Sequence, residues 1–481
     1  MQSDKRNLSM VMDLYELTMS YGYFKSNVIN NRVAFDVFYR KNPENAGYAI
    51  FAGLEQIVEY ILNLHFDEED IKYLRELKLF DEEFLDYLKN FKFKGDIYSI
   101  KEGTIMYPNE PIITVIAPII DAQIVETAIL LEVNHQSLIA TKARRIVRAA
   151  KGRVVSDFGA RRAHNVDAAV YGARAAYIGG VSSTATVLAG KMFNIPVSGT
   201  MAHSFVMYYD SEYEAFKQYA LTYPNNTILL VDTYDVIKQG IPNAIKVAHE
   251  VLEPLGCRLK GVRIDSGDLA YLSKKCRNML DEAGLTDCKI IISNSLDERI
   301  ISSIIEQDAK FDIAGVGERL ITSRSEPVFG AVYKLCAIEQ NNNFIPKIKI
   351  SENEEKVTNP GLKGLYRLYD NEGKAFADLI ALKNEKLDFN NLSLIDPKKP
   401  WKKYDFTNVR AKELLIPIFI NGKLVYKLPS LNEIREYVDY QLEYEIWQEE
   451  QRIENPHCHY LDMTLPYFQS KNELLTKNRK K

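Results

Sequence analysis

The chain has 481 residues, 46% of them hydrophobic and 26% charged, an ordinary globular balance that excludes a disordered or low-complexity polymer. Lys and Arg number 61 against 65 Asp and Glu, a formal charge of −4, so there is no positive field to hold a nucleic acid. Apolar runs such as residues 112–120 are too short to span a bilayer, Met1 to Arg6 lead into no signal-like stretch, and the 5 scattered cysteines make neither a disulfide framework nor a C-x-x-C site. The expectation is a soluble cytoplasmic protein with no nucleic-acid or membrane partner.

Along the chain, residues 11–24 carry Val11, Leu14, Tyr15, Thr18 and Met19 at helical spacing, and 33–39 alternate as a strand. Residues 51–64 and 67–91 read as charged helices, and 96–100, 104–106 and 112–116 as short strands, together a small α+β domain over 1–133. Residues 122–150 form one long helical pattern, interrupted near 134–137. From Arg153 the pattern changes. Short β-branched runs at 153–156, 176–181, 195–198, 227–231, 260–264, 289–293 and 312–316 alternate with helical stretches at 166–177, 184–193, 212–221, 235–255, 269–283 and 298–307. That alternation predicts a parallel sheet or barrel over 134–327. After Arg324 it stops. Residues 328–338, 344–350, 364–368 and 376–382 read as antiparallel strands, 431–451 as an amphipathic helix, and 471–481 as a basic, frayed tail of a C-terminal extension over 328–481.

The strand ends carry the chemistry, because β/α folds bind ligands at the C-terminal face. They read Asp157-Phe158-Gly159-Ala160-Arg161-Arg162, Ser182-Ser183-Thr184, Gly199-Thr200-Met201-Ala202-His203, Asp232-Thr233-Tyr234-Asp235, Arg263-Ile264-Asp265-Ser266-Gly267-Asp268, Ser293-Asn294-Ser295 and Gly315-Val316-Gly317-Glu318-Arg319. Helix capping explains Ser183, Asp235 and Ser295. It does not explain Arg161, Arg162, His203 or Arg263, so the loops are read as a ligand site. Gly315 and Gly317 let a phosphate approach the backbone, as does the Gly199-Thr200 turn, although tight turns also use glycine. Arg161, Arg162, Arg263 and Arg319 suit phosphate or carboxylate. Asp157, Asp265 and Asp268 suit Mg2+ or sugar hydroxyls, or else pair with the arginines. Together they imply a sugar phosphate with more than one phosphoryl group. His203 stands apart from His65, His135 and His249 because it lies on such a loop, where imidazole can act as nucleophile or proton carrier. His457-Cys458-His459 lacks a second ligand pair, so no metal site is expected there.

With Met12-Asp13-Leu14-Tyr15-Glu16-Leu17-Thr18-Met19 and Gly47-Tyr48-Ala49-Ile50-Phe51-Ala52-Gly53-Leu54, these stretches resemble the nicotinate phosphoribosyltransferase family. The resemblance implies an N-terminal α+β domain on an irregular, about seven-stranded β/α barrel, working as a homodimer with shared active sites. It implies formation of nicotinate mononucleotide and pyrophosphate from nicotinate and phosphoribosyl pyrophosphate, in NAD salvage. ATP hydrolysis is coupled through a phosphohistidine, expected at His203, with Mg2+ as cofactor. Phe158, and Tyr15 from the partner subunit, are expected to stack the pyridine. Arg263 is expected near the carboxylate, Asp265 on ribose hydroxyls or with Asp268 on the metal, Arg161 at the phosphates, Gly315 and Gly317 at the 5′-phosphate, and Thr200 and Ser293 on the substrate. Two places depart from the family pattern. Glu318 stands where Thr or Ser often follows the second glycine, and Ser183-Thr184-Ala185-Thr186 lacks the acidic residue of related nicotinamide enzymes, which favours nicotinate. A Schiff-base aldolase would need a strand-end lysine, and Lys260 and Lys289 sit at strand starts. A nicotinamide-specific transferase and a non-catalytic sensor of a phosphorylated metabolite remain the rival readings.

Overall fold

The computed structural model describes residues 6–353 and 356–479. They divide into two compact units, one of Ile139–Pro327 and one of the described residues up to Leu138 together with those from Val328 onward.

In the second unit, strands from both ends of the chain share a seven-stranded sheet, in the order Asn343–Pro346, Val332–Gln340, Arg32–Phe38, Ile113–Pro118, Asp96–Ser99, Ile416–Ile420 and Lys423–Leu424. Phe35, Val37 and Val115 on this sheet pack with Phe51, Leu54 and Tyr333 in the main core. Residues Asn341 and Asn342 both adopt left-handed φ, 52° and 62°, which turns the terminal hairpin with the twist that paired strands need. A six-stranded sheet follows, in the order Lys403–Phe406, Leu392–Ile395, Tyr460–Met463, Ala375–Leu382, Lys363–Tyr369 and Arg410–Glu413. It is not wholly antiparallel as expected, because Tyr460–Met463 returns parallel to Ala375–Leu382.

Four local expectations are corrected here. The first helix, Leu14–Lys25, buries Glu16, Leu17 and Ser20, whereas the apolar positions Leu14, Tyr15 and Met19 are exposed. The long helix Glu126–Ala149 runs unbroken through 134–137, and the break lies before it, at Val125. Its polar residues are used in tertiary bonds: Asn134 Oδ1 accepts from Ala331 N at 2.8 Å and Ser137 Oγ from Ala52 N at 3.1 Å. The C-terminal amphipathic helix stops early, as Leu431–Tyr440 followed by one wide turn, Gln441–Glu445. The tail is helical over Leu465–Arg479, and Lys480 and Lys481 lie outside the described residues, as do Met1–Lys5 of the N-terminus.

The first unit is the β/α part. Its six-stranded parallel sheet runs Ser183–Thr184, Val154–Asp157, Ile313–Val316, Lys289–Ser293, Gly261–Ile264, Ile228–Leu230. Val197 adds a seventh position through a single parallel bridge to Thr184. The strands are short apolar runs covered by capped helices. Asp235 Oδ1 accepts from Ile237 N and Lys238 N, Asp268 Oδ1 from Tyr271 N, and Asp297 Oδ1 from Ile300 N at 2.8 Å. Residues 176–181 do not form the expected second strand: Ala176 to Ile178 end the helix Val166–Ile178, and Gly180, at φ 105°, turns the chain into Ser183–Thr184. Among the described residues, no helix is long and apolar enough to cross a membrane.

Candidate active site

Register places the expected residues on one face. Ser293 pairs with Gly315, and Gly315 with Ser156, so they share a row at the C-terminal edge of the sheet; Arg263 lies two residues below, opposite Ile291, and so on the same face as Ser293. Arg263 is held on three sides. Its Nε donates to Ser293 Oγ at 2.9 Å, its Nη1 to Thr200 Oγ1 at 3.1 Å and its Nη2 to Asp265 Oδ1 at 2.9 Å. A guanidinium has five N–H groups, so two remain for a ligand, in a fixed orientation. The same guanidinium lies 5.3 Å from the centre of the Phe158 ring. Ser293 Oγ closes the cluster by donating to Asp265 Oδ1.

Gly315 is required by this packing. A Cβ there would stand 2.4 Å from the Phe158 ring, and one at Gly317 would stand 3.2 Å from the Phe158 carbonyl oxygen. Gly317 precedes the short helix Glu318–Ile321. The carboxylate loop also needs glycine, since Gly267 has φ 79°. Gly199, by contrast, has open space around it.

His203 opens the helix His203–Tyr208 with its side chain 41% exposed; its Nε2 lies 3.3 Å from Asp232 Oδ1. Asp232 is the member of this cluster that the sequence reading did not single out. Its side chain is buried, and its Oδ2 accepts from Asp265 N at 3.1 Å and from Ser266 Oγ at 2.5 Å. It therefore links the histidine loop to the carboxylate loop. The signal lay in Asp232-Thr233-Tyr234-Asp235, where Asp235 is the cap and Asp232 is left over for another task.

Other expected residues fall elsewhere. Asp157 is a packing residue: it is buried, receives Gly159 N at 2.8 Å and Thr184 Oγ1 at 2.7 Å, and burial raises its pKa above the usual carboxylate range. Ser183 is no cap, since its hydroxyl lies 2.9 Å from Ser156 Oγ and 2.6 Å from Ser198 Oγ. Ser295 is no cap either, because Asp297 fills that place. Arg319 pairs with Asp297, whereas Arg161 and Arg162 are exposed and make no ion pair with a described residue. Tyr15 belongs to the other unit, on Leu14–Lys25, where burial first and Glu126 second raise its pKa. His459 is buried against Asp378 and Glu450, and Cys458 is exposed.

Asp265 Oδ2 and Asp268 Oδ2 receive no hydrogen bond from a described residue, which leaves each loop carboxylate an oxygen for a hard cation. Among the described residues no three His, Cys, Asp or Glu side chains gather as a cage. Mg2+ ordinarily takes only one or two carboxylates beside phosphate oxygens and water, so this donor set fits it.

Fold and site define the class: an α/β protein that presents arginine, carboxylates and close-approach glycines at the C-terminal edge of a parallel sheet. Residues 10–134 match the nicotinate phosphoribosyltransferase (NAPRTase) N-terminal domain, 154–391 the NAPRTase family and 362–471 the C-terminal domain. The chain is 45% identical over 462 residues to the nicotinate phosphoribosyltransferase of Bacillus subtilis (strain 168), across 95% of this chain and 93% of that one. It is 39% identical over 438 residues to nicotinate phosphoribosyltransferase pncB2 of Mycobacterium tuberculosis (strain ATCC 25618 / H37Rv), across 90% and 87%. It superposes on the crystal structure of human nicotinic acid phosphoribosyltransferase with a TM-score of 0.86, at 26% identity, over 96% of this chain and 99% of that one. The chain belongs to the nicotinate phosphoribosyltransferase family.

Proposed function

We propose that the protein makes nicotinate mononucleotide and pyrophosphate from nicotinate and phosphoribosyl pyrophosphate, and couples this to ATP hydrolysis through a phosphohistidine at His203. Family membership supports the transferase reading. The observation that carries the site assignment is Arg263, clasped by Thr200, Ser293 and Asp265 beneath Phe158, with two N–H groups to spare. Arg263 takes the nicotinate carboxylate while Phe158 stacks the ring. Ala185, where a carboxylate would repel nicotinate, leaves the anionic base favoured over nicotinamide.

The pyridine nitrogen attacks ribose C1 as the bond from C1 to the pyrophosphate oxygen breaks. The transition state is oxocarbenium-like, so catalysis is mainly orientation and stabilisation of the departing anion. Arg161 meets the pyrophosphate, the loop at Gly317 admits the 5′-phosphate while Gly315 makes room for the Phe158 ring, and Asp265 orients the ribose hydroxyls. When bound through Asp265 and Asp268, Mg2+ would neutralise charge on the phosphates.

Asp232 holds Nε2 of His203, which leaves Nδ1 as the ring nitrogen with a lone pair to offer. Nδ1 attacks the γ-phosphorus of ATP, ADP leaves, and water later releases the phosphoryl group as phosphate. Asp232 acts as a positioning residue. Incubation with γ-labelled ATP should leave acid-labile, base-stable label on the wild type. His203→Asn, which keeps a hydrogen-bond donor, should lose both the label and the ATP stimulation. An ATP-coupled His203→Asn enzyme would exclude the phosphoenzyme.

The reading includes a homodimer in which Tyr15 of the partner subunit completes the pyridine stack. The exposed Leu14, Tyr15 and Met19 on one short helix support a covered role for that face in an assembly.

A further inference from the structure

One hairpin of the six-stranded sheet has no part in the chemistry above. Strands Leu392–Ile395 and Lys403–Phe406 pair in antiparallel register, Ile395 opposite Lys403 and Leu394 opposite Tyr404, and the second strand is an edge of the sheet. Its connection reads Asp396-Pro397-Lys398-Lys399-Pro400-Trp401-Lys402-Lys403-Tyr404. Four lysines thus flank one tryptophan. Trp401 is 76% exposed, although a side chain of that size is normally covered in a protein that meets only water. Tyr404 beside it is also exposed, and none of the four lysines makes an ion pair with a described residue.

The tip is held in shape. Lys399 N donates to Asp396 O at 3.1 Å, Lys402 N to Lys399 O at 2.7 Å and Lys398 N to Asp396 Oδ1 at 2.8 Å. Pro397 and Pro400 fix φ on either side of the lysine pair. Behind the tip, Leu392 and Leu394 are buried with Phe406 packed against them. The two acidic neighbours are held by neutral donors and keep their charge: Asp396 caps the turn, and Asp405 Oδ1 accepts from Ser393 Oγ at 2.5 Å. Residues 396–405 therefore carry four lysine charges against two carboxylates, a local net of +2, and screening over roughly 8–10 Å keeps the net negative charge of the rest of the chain from cancelling it.

We propose that this hairpin tip is a peripheral contact site for an anionic lipid surface, with Trp401 and Tyr404 entering the interface and Lys398, Lys399, Lys402 and Lys403 meeting the headgroups. Tryptophan and tyrosine suit that boundary because each has an apolar body and a polar tip, and lysine stems lie along it while their ammonium groups stay in water. Shape favours a flat partner. A single-stranded nucleic acid needs a groove with successive stacking platforms, and this tip offers one tryptophan at a turn. Such a contact needs no spanning helix, so it goes beyond the sequence expectation of no membrane partner without requiring a membrane-crossing segment.

The chain has 2 tryptophans, so a Trp447→Phe enzyme reports on Trp401 alone. Full-length enzyme is mixed with vesicles of phosphatidylcholine containing phosphatidylserine, and with pure phosphatidylcholine vesicles. The expected result is co-sedimentation and a blue-shifted emission with the anionic vesicles only, weakened by salt. Each lysine should change partition about fivefold, so Lys398→Gln/Lys399→Gln should bind about 25-fold more weakly. Trp401→Ala should also bind more weakly, and both variants should keep transferase activity, which shows that they fold. Absence of binding to anionic vesicles overturns the proposal. So does binding that these variants leave unchanged, or a Trp401 response to single-stranded oligonucleotide with none to vesicles.

Discussion

In the proposed site, Arg263 would meet the ligand with only part of its side chain. Three of its N–H groups go to Ser293, Thr200 and Asp265, and those bonds fix the plane in which the other two point. Losing a charge-assisted hydrogen bond costs roughly 1.5–3 kcal/mol, and every 1.4 kcal/mol is about tenfold in affinity. Arg263→Ala should therefore raise the KM for nicotinate at least tenfold, and nicotinamide, which has no carboxylate, should lose far less. Steady-state kinetics with both bases test this, and an equal loss for the two would remove Arg263 from the carboxylate. The residue was legible because an arginine at a strand end has no capping role to explain it. Asp232 was not, because an aspartate near a helix start reads as a cap, and only the bonds to His203, Asp265 and Ser266 separate it from Asp235.

Between elements, a buried charged cluster joins strand Ala375–Leu382 to the neighbouring strand Lys363–Tyr369 and to the segment around Tyr107. Arg367 donates to both oxygens of Asp378, at 2.9 and 2.6 Å, and His459 stacks on Tyr107 at 3.8 Å. Burial, with Asp378 second, raises the pKa of Glu110 well above the ordinary 4.5. Burial by itself would lower His459, but Asp378 and Glu450 outweigh it and the net shift from 6.5 is upward. In both cases the folded state keeps a proton that the unfolded chain releases as pH rises. Their stabilisation is therefore complete at low pH and is lost upward, from about pH 4.5 for Glu110 and about 6.5 for His459. Glu110→Gln resembles the protonated acid and does not titrate, so its unfolding free energy should fall less than the wild type's between about pH 5 and pH 9. Urea unfolding across that range tests it, and parallel pH profiles would rule out a neutral Glu110. The elements themselves were legible where local and tertiary signals agree, as in the capped helices after Asp235, Asp268 and Asp297. They were misread where tertiary bonds overrule local character. Asn134 to Ser137 look like a helix break until Ala52 and Ala331 are there to be bonded. Residues 176–181 show the opposite difficulty, since a short apolar run fits a helix end as well as a strand.

At the scale of the whole molecule, the first helix departs most from its sequence pattern. Leu14, Tyr15 and Met19 face outward, and its inward face carries, beside Leu17, Glu16, a buried carboxyl pushed up to about 7 by burial, with Thr127 donating to it. A helix that buries its acid and exposes Leu14, Tyr15 and Met19 fits a surface meant for another copy of the chain. If Tyr15 acts in the partner's site, each active centre draws His203 from one subunit and Tyr15 from the other. Tyr15→Ala and His203→Ala homodimers should then both be impaired. A mixed dimer, however, contains one centre with both residues intact and one that lacks both. Random pairing in equal amounts makes half the dimers mixed, so co-refolded subunits should regain about a quarter of wild-type activity. If Tyr15 serves its own subunit, no mixed dimer holds an intact centre, and activity stays at the average of the two parents. Activity measured before and after subunit exchange separates these outcomes, because exchange changes only which chains are paired.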